Sequence, residues 1–96
     1  MARRPATDMQ IEYGRRLQRI RIARGITSQS ALGKRIGVGK SRVGAWEEGR
    51  STPESIELLY RLCTALGVTS DYLLFGDARS LTGEAYKTLV VEAEIS

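Results

Sequence analysis

Apolar residues recur at spacings of three and four in five stretches of the chain, and glycine or proline stands between the stretches. Over residues 10–24, Tyr13, Leu17, Ile20 and Ala23 mark one side, flanked by Ile11 and Ile22. This predicts an amphipathic helix with arginines on its other faces, ended by Gly25. Thr27 and Ser28 offer N-cap oxygens to a shorter helix over 28–36, with Ala31, Leu32 and Ile36 on its inner side. Gly37-Val38-Gly39 is too glycine-rich to continue a helix and predicts a tight turn. A third helix over 40–48 puts Val43 and Trp46 on a common face. Pro53 fits the first turn of a fourth helix running to residue 66, because its missing N–H is not needed there. The stripe of that helix comprises Ile56, Leu59, Tyr60, Cys63 and Leu62 or Leu66. Gly67 suits the position just past its end. Ser70 and Asp71 can cap a fifth helix over 71–75, stopped by Gly76. Farther on, Ala85, Tyr86, Leu89, Val90 and Ala93 fit a final helix over 83–94, although Val90-Val91 raises strand propensity locally. The expected organisation is an arm over 1–9, an all-α domain over 10–76 and a C-terminal segment over 77–96.

Composition narrows this further. Ninety-six residues make one domain, and 23 of them are Leu, Ile, Val or Phe, enough for a small packed core. Unbroken apolar runs stop at three or four residues, far below the ~20 a membrane span needs. The basic start, Met1 to Pro5, has no apolar stretch after it and is no secretory signal. One cysteine and no histidine exclude an internal disulfide and argue strongly against zinc. The expectation is a reduced, cytoplasmic protein without metal or cofactor.

The net charge of +4 is unevenly placed: residues 1–50 hold 12 Lys/Arg against 4 Asp/Glu, and residues 51–96 hold 3 against 7. Twelve of the 15 cations are arginine, whose planar fork suits phosphate and guanine. A basic first half points to nucleic acid; the plainer alternative is a solvated basic helix face.

Residues 28–47 carry the functional signal: a short helix, a glycine-containing turn, and a helix with inward apolar residues. This is the helix-turn-helix pattern, whose second helix enters the major groove. From Leu17 to Leu74 the chain resembles the phage repressor and Cro-type helix-turn-helix (xenobiotic-response-element, XRE) family. The matching pieces are Arg21 and Gly25, Ser28-Gln29 with Leu32, Ile36-Gly37-Val38, Ser41-Arg42-Val43, Trp46-Glu47 with Gly49-Arg50 and Pro53, and Leu66-Gly67-Val68 with Asp71-Tyr72-Leu73-Leu74. The resemblance implies an all-α, five-helix lambda-repressor-like domain, with the C-terminal segment serving dimerisation. It implies a sequence-specific regulator that binds an operator in double-stranded DNA as a homodimer, and so blocks or recruits polymerase. It is compatible with a protein partner: a toxin, an antirepressor or RNA polymerase.

The same resemblance implies roles for single residues. Gln29 matches a glutamine that braces a phosphate and the recognition helix. Lys40, Ser41, Gly44 and Ala45 match the outward, base-reading face, Arg42 stands on its flank, and Arg50 matches a backbone-contacting position. Arg21 and Glu47 match a pair that ties the first helix to the recognition helix. Three departures stand out. Leu32-Gly33 replaces a common Leu-Ala, Gly39 stands where a Ser or Thr N-cap is common, and Gly44 and Ala45 offer almost no base-reading atoms. Direct readout therefore rests on Lys40, Ser41 and Arg42, with DNA shape supplying more of the specificity. An antitoxin or a restriction–modification controller shares this fold, and an interaction module that no longer reads DNA is the reading from a different class.

Other signals reduce to plainer ones. Gly39-Lys40-Ser41 is no phosphate-binding loop, because Lys34 stands where that motif needs its first glycine. Cys63 reads as a buried thiol and Trp46 as core. Arg3 and Arg4 are a minor-groove arm or a plain basic tail. One or two of Arg15, Arg16, Arg19 and Arg24 are expected on DNA. Leu81, Tyr86, Leu89, Val90 and Ile95 are left over for dimerisation, and nothing supports catalysis.

Overall fold

The computed structural model describes residues 7–92, and the arm arginines Arg3 and Arg4, like Ile95, lie outside them. Its regular elements are all helical: α1 (Asp8–Ala23), α2 (Gln29–Ile36), α3 (Lys40–Glu47), α4 (Ile56–Leu66), α5 (Ser70–Phe75), a 3₁₀ turn (Ala78–Ser80) and α6 (Gly83–Tyr86), which continues as a π-type stretch (Lys87–Val91). The all-α expectation holds.

Capping explains where the boundaries moved. α1 starts earlier than expected because Thr7 and Gln10 form a reciprocal capping box: Gln10 N donates to Thr7 Oγ1 at 3.1 Å and Thr7 N to Gln10 Oε1 at 2.9 Å. Ser28 caps α2 by accepting from Ala31 N at 3.0 Å. α4 begins three residues after Pro53, not at it, because Ser55 supplies the N-cap and accepts from Leu58 N at 3.1 Å. The hydroxyl cap prevailed over the proline's fixed φ. At α5 the cap is Thr69, one residue before the expected pair.

The core gathers Tyr13, Leu17 and Ile20 from α1, Leu32 and Ile36 from α2, Val43 and Trp46 from α3, Leu62 and Leu66 from α4, and Leu73 from α5, all essentially inaccessible. Ala23, expected on the inner side of α1, is exposed. Leu81 and Leu89, expected to be left over for dimerisation, are instead buried in this core. The C-terminal segment packs back on its own domain, so those two side chains are satisfied within one chain.

Candidate nucleic-acid interface

α2 and α3 are joined by the expected turn, and glycine makes it tight. Gly37 takes the left-handed conformation, and its N–H and that of Val38 both donate to Gly33 O, at 2.8 and 2.9 Å. A Cβ on Gly33 would lie 2.5 Å from Val38 O. The glycine in place of a common alanine therefore lets this turn fold back on α2.

At its N-terminus α3 is open. Gly39 occupies the N-cap with no side-chain hydrogen bond, and Lys40, Ser41 and Arg42 are exposed. Gly44 is a correction. Expected on the outward face, it is buried, and Gln29 covers it: a Cβ there would meet Gln29 Oε1 at 3.1 Å. Glycine at this position makes room for Gln29 and does not itself present a surface. Ala45 is half-buried.

The C-terminal end of α3 is fixed by one carboxylate. Glu47 accepts from Arg21 Nε at 2.7 Å and Nη2 at 3.3 Å, and from Gln29 Nε2 at 3.0 Å. Arg21 uses its remaining nitrogen, Nη1, to donate to Ile26 O at 2.9 Å. Both charged side chains are buried. One carboxylate thus joins α1, α2 and α3, and the fork geometry fixes their mutual orientation. Gln29 is held by this network beside the exposed face of α3. Arg50 and Glu48 pair at 2.8 Å on the surface beyond the helix, and Arg42 Nε stands 3.9 Å from Glu54 Oε1.

Gly14 completes the clamp, and sequence reasoning missed it. A Cβ there would lie 2.5 Å from Glu47 O and 2.6 Å from Trp46 O, so α1 crosses the end of α3 at backbone contact. The available signal was a glycine inside a strongly patterned helix, where it costs roughly 1 kcal/mol relative to alanine. Glu54 was missed too, because its partner Arg42 lies in another element.

Three of the four arginines on and just past α1 that were weighed for DNA have other partners. Arg16 Nη1 donates to Leu73 O at 2.9 Å, and Arg19 Nη2 to Tyr72 Oη at 3.2 Å. Arg24 Nε donates to Leu66 O at 2.7 Å, Nη2 to Gly67 O at 3.1 Å, and Nη1 to Glu84 at 2.6 Å. Arg16 and Arg24 satisfy carbonyls in the last turns of α5 and α4, where helices leave them unpaired. Arg24, with help from Thr88, holds the Glu84 carboxyl below the usual range. Lys34, Arg35, Lys40, Arg42 and Arg50 remain as exposed cations on and around α2 and α3.

Cys63 is half-buried and burial pushes its thiol up, away from the reactive thiolate. Among the described residues no group of three His, Cys, Asp or Glu side chains is placed to hold a metal ion, and no helix is long and apolar enough to cross a membrane.

A two-helix unit with an exposed, cationic second helix, clamped at its far end, defines a DNA-binding module. A family model described as a helix-turn-helix domain matches residues 12–73, and the chain belongs to that family. Solved structures place it among the repressor and Cro-type members. The P22 c2 repressor, solved with synthetic operator 9T, is 37% identical with a TM-score of 0.63, over 68% of this chain and 96% of that one. The restriction–modification controller C.AhdI from Aeromonas hydrophila is 33% identical with a TM-score of 0.60, over 67% and 94%. The clp gene regulator ClgR from C. glutamicum is 27% identical with a TM-score of 0.64, over 81% and 97%. No curated protein matches the chain. The chain is a DNA-binding transcriptional regulator of this family.

Proposed function

We propose that the protein represses transcription as a homodimer that seats one α3 in the major groove of each half-site, with centres about 34 Å apart. Lys40, Ser41 and Arg42 read base edges, Ala45 rests against a thymine methyl, and Gln29 and Arg50 contact phosphates. The observation that carries this reading is the contrast within α3: exposed cationic residues at the N-terminus, and a C-terminus held by Glu47 to α1 and α2. Exposed Ile56 and Tyr60 on α4, with Tyr86 and Val91 at the C-terminal end, are the side chains a second copy would cover. The site of action is the cytoplasm, where the chromosome lies, and the activity is binding without catalysis.

A gel shift against the DNA upstream of its own gene, at fixed salt with nonspecific competitor, tests this directly. The expected result is a competitor-resistant complex with two protomers per site; loss of all binding under competitor contradicts it. Likeness to C.AhdI supports a second reading, control of a restriction–modification system. Flanking methyltransferase and endonuclease genes would distinguish that role from a phage-type repressor.

A further inference from the structure

The surface that α3 presents is not uniformly basic. Glu54, in the loop before α4, places Oε1 3.9 Å from Arg42 Nε, and each side chain is about half-exposed, at 50% and 53%. We propose that Glu54 is a specificity-determining residue, which holds Arg42 back from the phosphates of nonspecific DNA and releases it only to the base edges of the operator. The proposal rests on the reading that α3 is the DNA-binding helix.

Glu54 and DNA compete for one guanidinium. An exposed pair of this kind is worth up to about 1 kcal/mol, which is enough to offset a single phosphate contact by the guanidinium. A guanine edge in the major groove offers two acceptors in the fork geometry of arginine and outcompetes both. On random DNA the arginine stays with Glu54, and the carboxylate also repels nearby phosphates. On the operator the arginine turns to the base. Arg42 therefore adds to specific binding and little to nonspecific binding, which widens the gap between the two. No such partner is needed by Arg21, whose fork is already filled by Glu47 and Ile26 O.

The test is the affinity of the full chain for a random-sequence duplex as a function of salt, for wild type, Glu54→Gln and Glu57→Gln. Glu57 pairs with Arg61 at 2.7 Å within α4, so its variant makes the same charge change on another pair. One added phosphate contact steepens the slope of log K against log salt by about 0.9, which is about eightfold in affinity at ~0.1 M salt counted from 1 M. Glu54→Gln is expected to show that gain and that steeper slope, while Glu57→Gln shows a rise of less than about twofold. On an operator selected from a random pool, Glu54→Gln gains less than on random DNA, so the specificity ratio falls. Unchanged or weaker nonspecific binding by Glu54→Gln overturns the proposal, as does an equal rise in both variants. Steeply salt-dependent binding by wild type keeps the DNA-binding reading in place whichever way the Glu54 variant goes.

Discussion

The two ends of α3 are built on opposite principles. At the C-terminal end, Trp46 is inaccessible, Glu47 takes three hydrogen bonds from two other helices, and Gly14 leaves no gap between α1 and the α3 backbone. At the N-terminal end, Gly39 provides no cap, a Cβ on it would meet nothing within 4 Å, and the next three side chains are exposed. The helix thus has its position set at one end and its surface left free at the other. The short length of α3, 8 residues, makes this division necessary, since so short a helix is marginal without tertiary support.

If the far end is the anchor, damage there is the most costly. Glu47→Ala leaves the buried Arg21 guanidinium without its partner, and a loss of about 3–5 kcal/mol is expected in denaturant unfolding. A loss under 1 kcal/mol would show that the clamp is incidental. Gly14→Ala is next. Its Cβ cannot fit at 2.5 Å from Glu47 O, so α1 and α3 must separate, at about 1–3 kcal/mol by unfolding and with weakened DNA binding.

Tyr13 lies in the same helix, α1. Burial, followed by the nearby Cys63, Glu47 and Glu54, raises its phenol well above the ordinary value of 10. In the unfolded chain the phenol ionises near pH 10, whereas in the fold it stays neutral. Stability from this group is thus complete below pH 10 and declines above it, by up to about 1.4 kcal/mol per pH unit. Tyr13→Phe is expected to flatten the alkaline limb of a stability–pH curve; an identical limb in both proteins would contradict this.

The smallest effect belongs to the open end. Gly39→Ser adds an N-cap oxygen at a backbone conformation that accepts it, φ −80° and ψ 162°, and is worth a few tenths of a kcal/mol. Its clearer sign is slower amide exchange in the first turn of α3 in the free protein. Full protection of residues 40–47 already in wild type would show that the N-terminal end is as firm as the other.

Much of this arrangement was legible in the sequence, because the local signals agreed with one another. The 3.6-residue periodicity located the helices, and the glycines at 25, 37, 67 and 76 marked their ends. Local pattern lost where a competing cap was present, as with Ser55 over Pro53. It also failed where the answer lay in another element. Whether Gly44 faces out depends on Gln29, whether Leu81 and Leu89 are free depends on how the C-terminal segment folds back, and Arg16 and Arg24 look like DNA contacts until the carbonyls of α4 and α5 are set beside them. The +8 of the first half is therefore a poor count of DNA contacts, since part of it caps helices inside the domain.

The central claim is that Lys40 and Arg42, at the unanchored end of α3, read bases. Selection of bound duplexes from a random pool by wild type, Lys40→Ala and Arg42→Ala measures it most directly. The account predicts that each variant loses preference at particular base pairs, by about 1–3 kcal/mol, and keeps it at the others. Equal weakening on every sequence, with the base preferences of wild type intact, would contradict it.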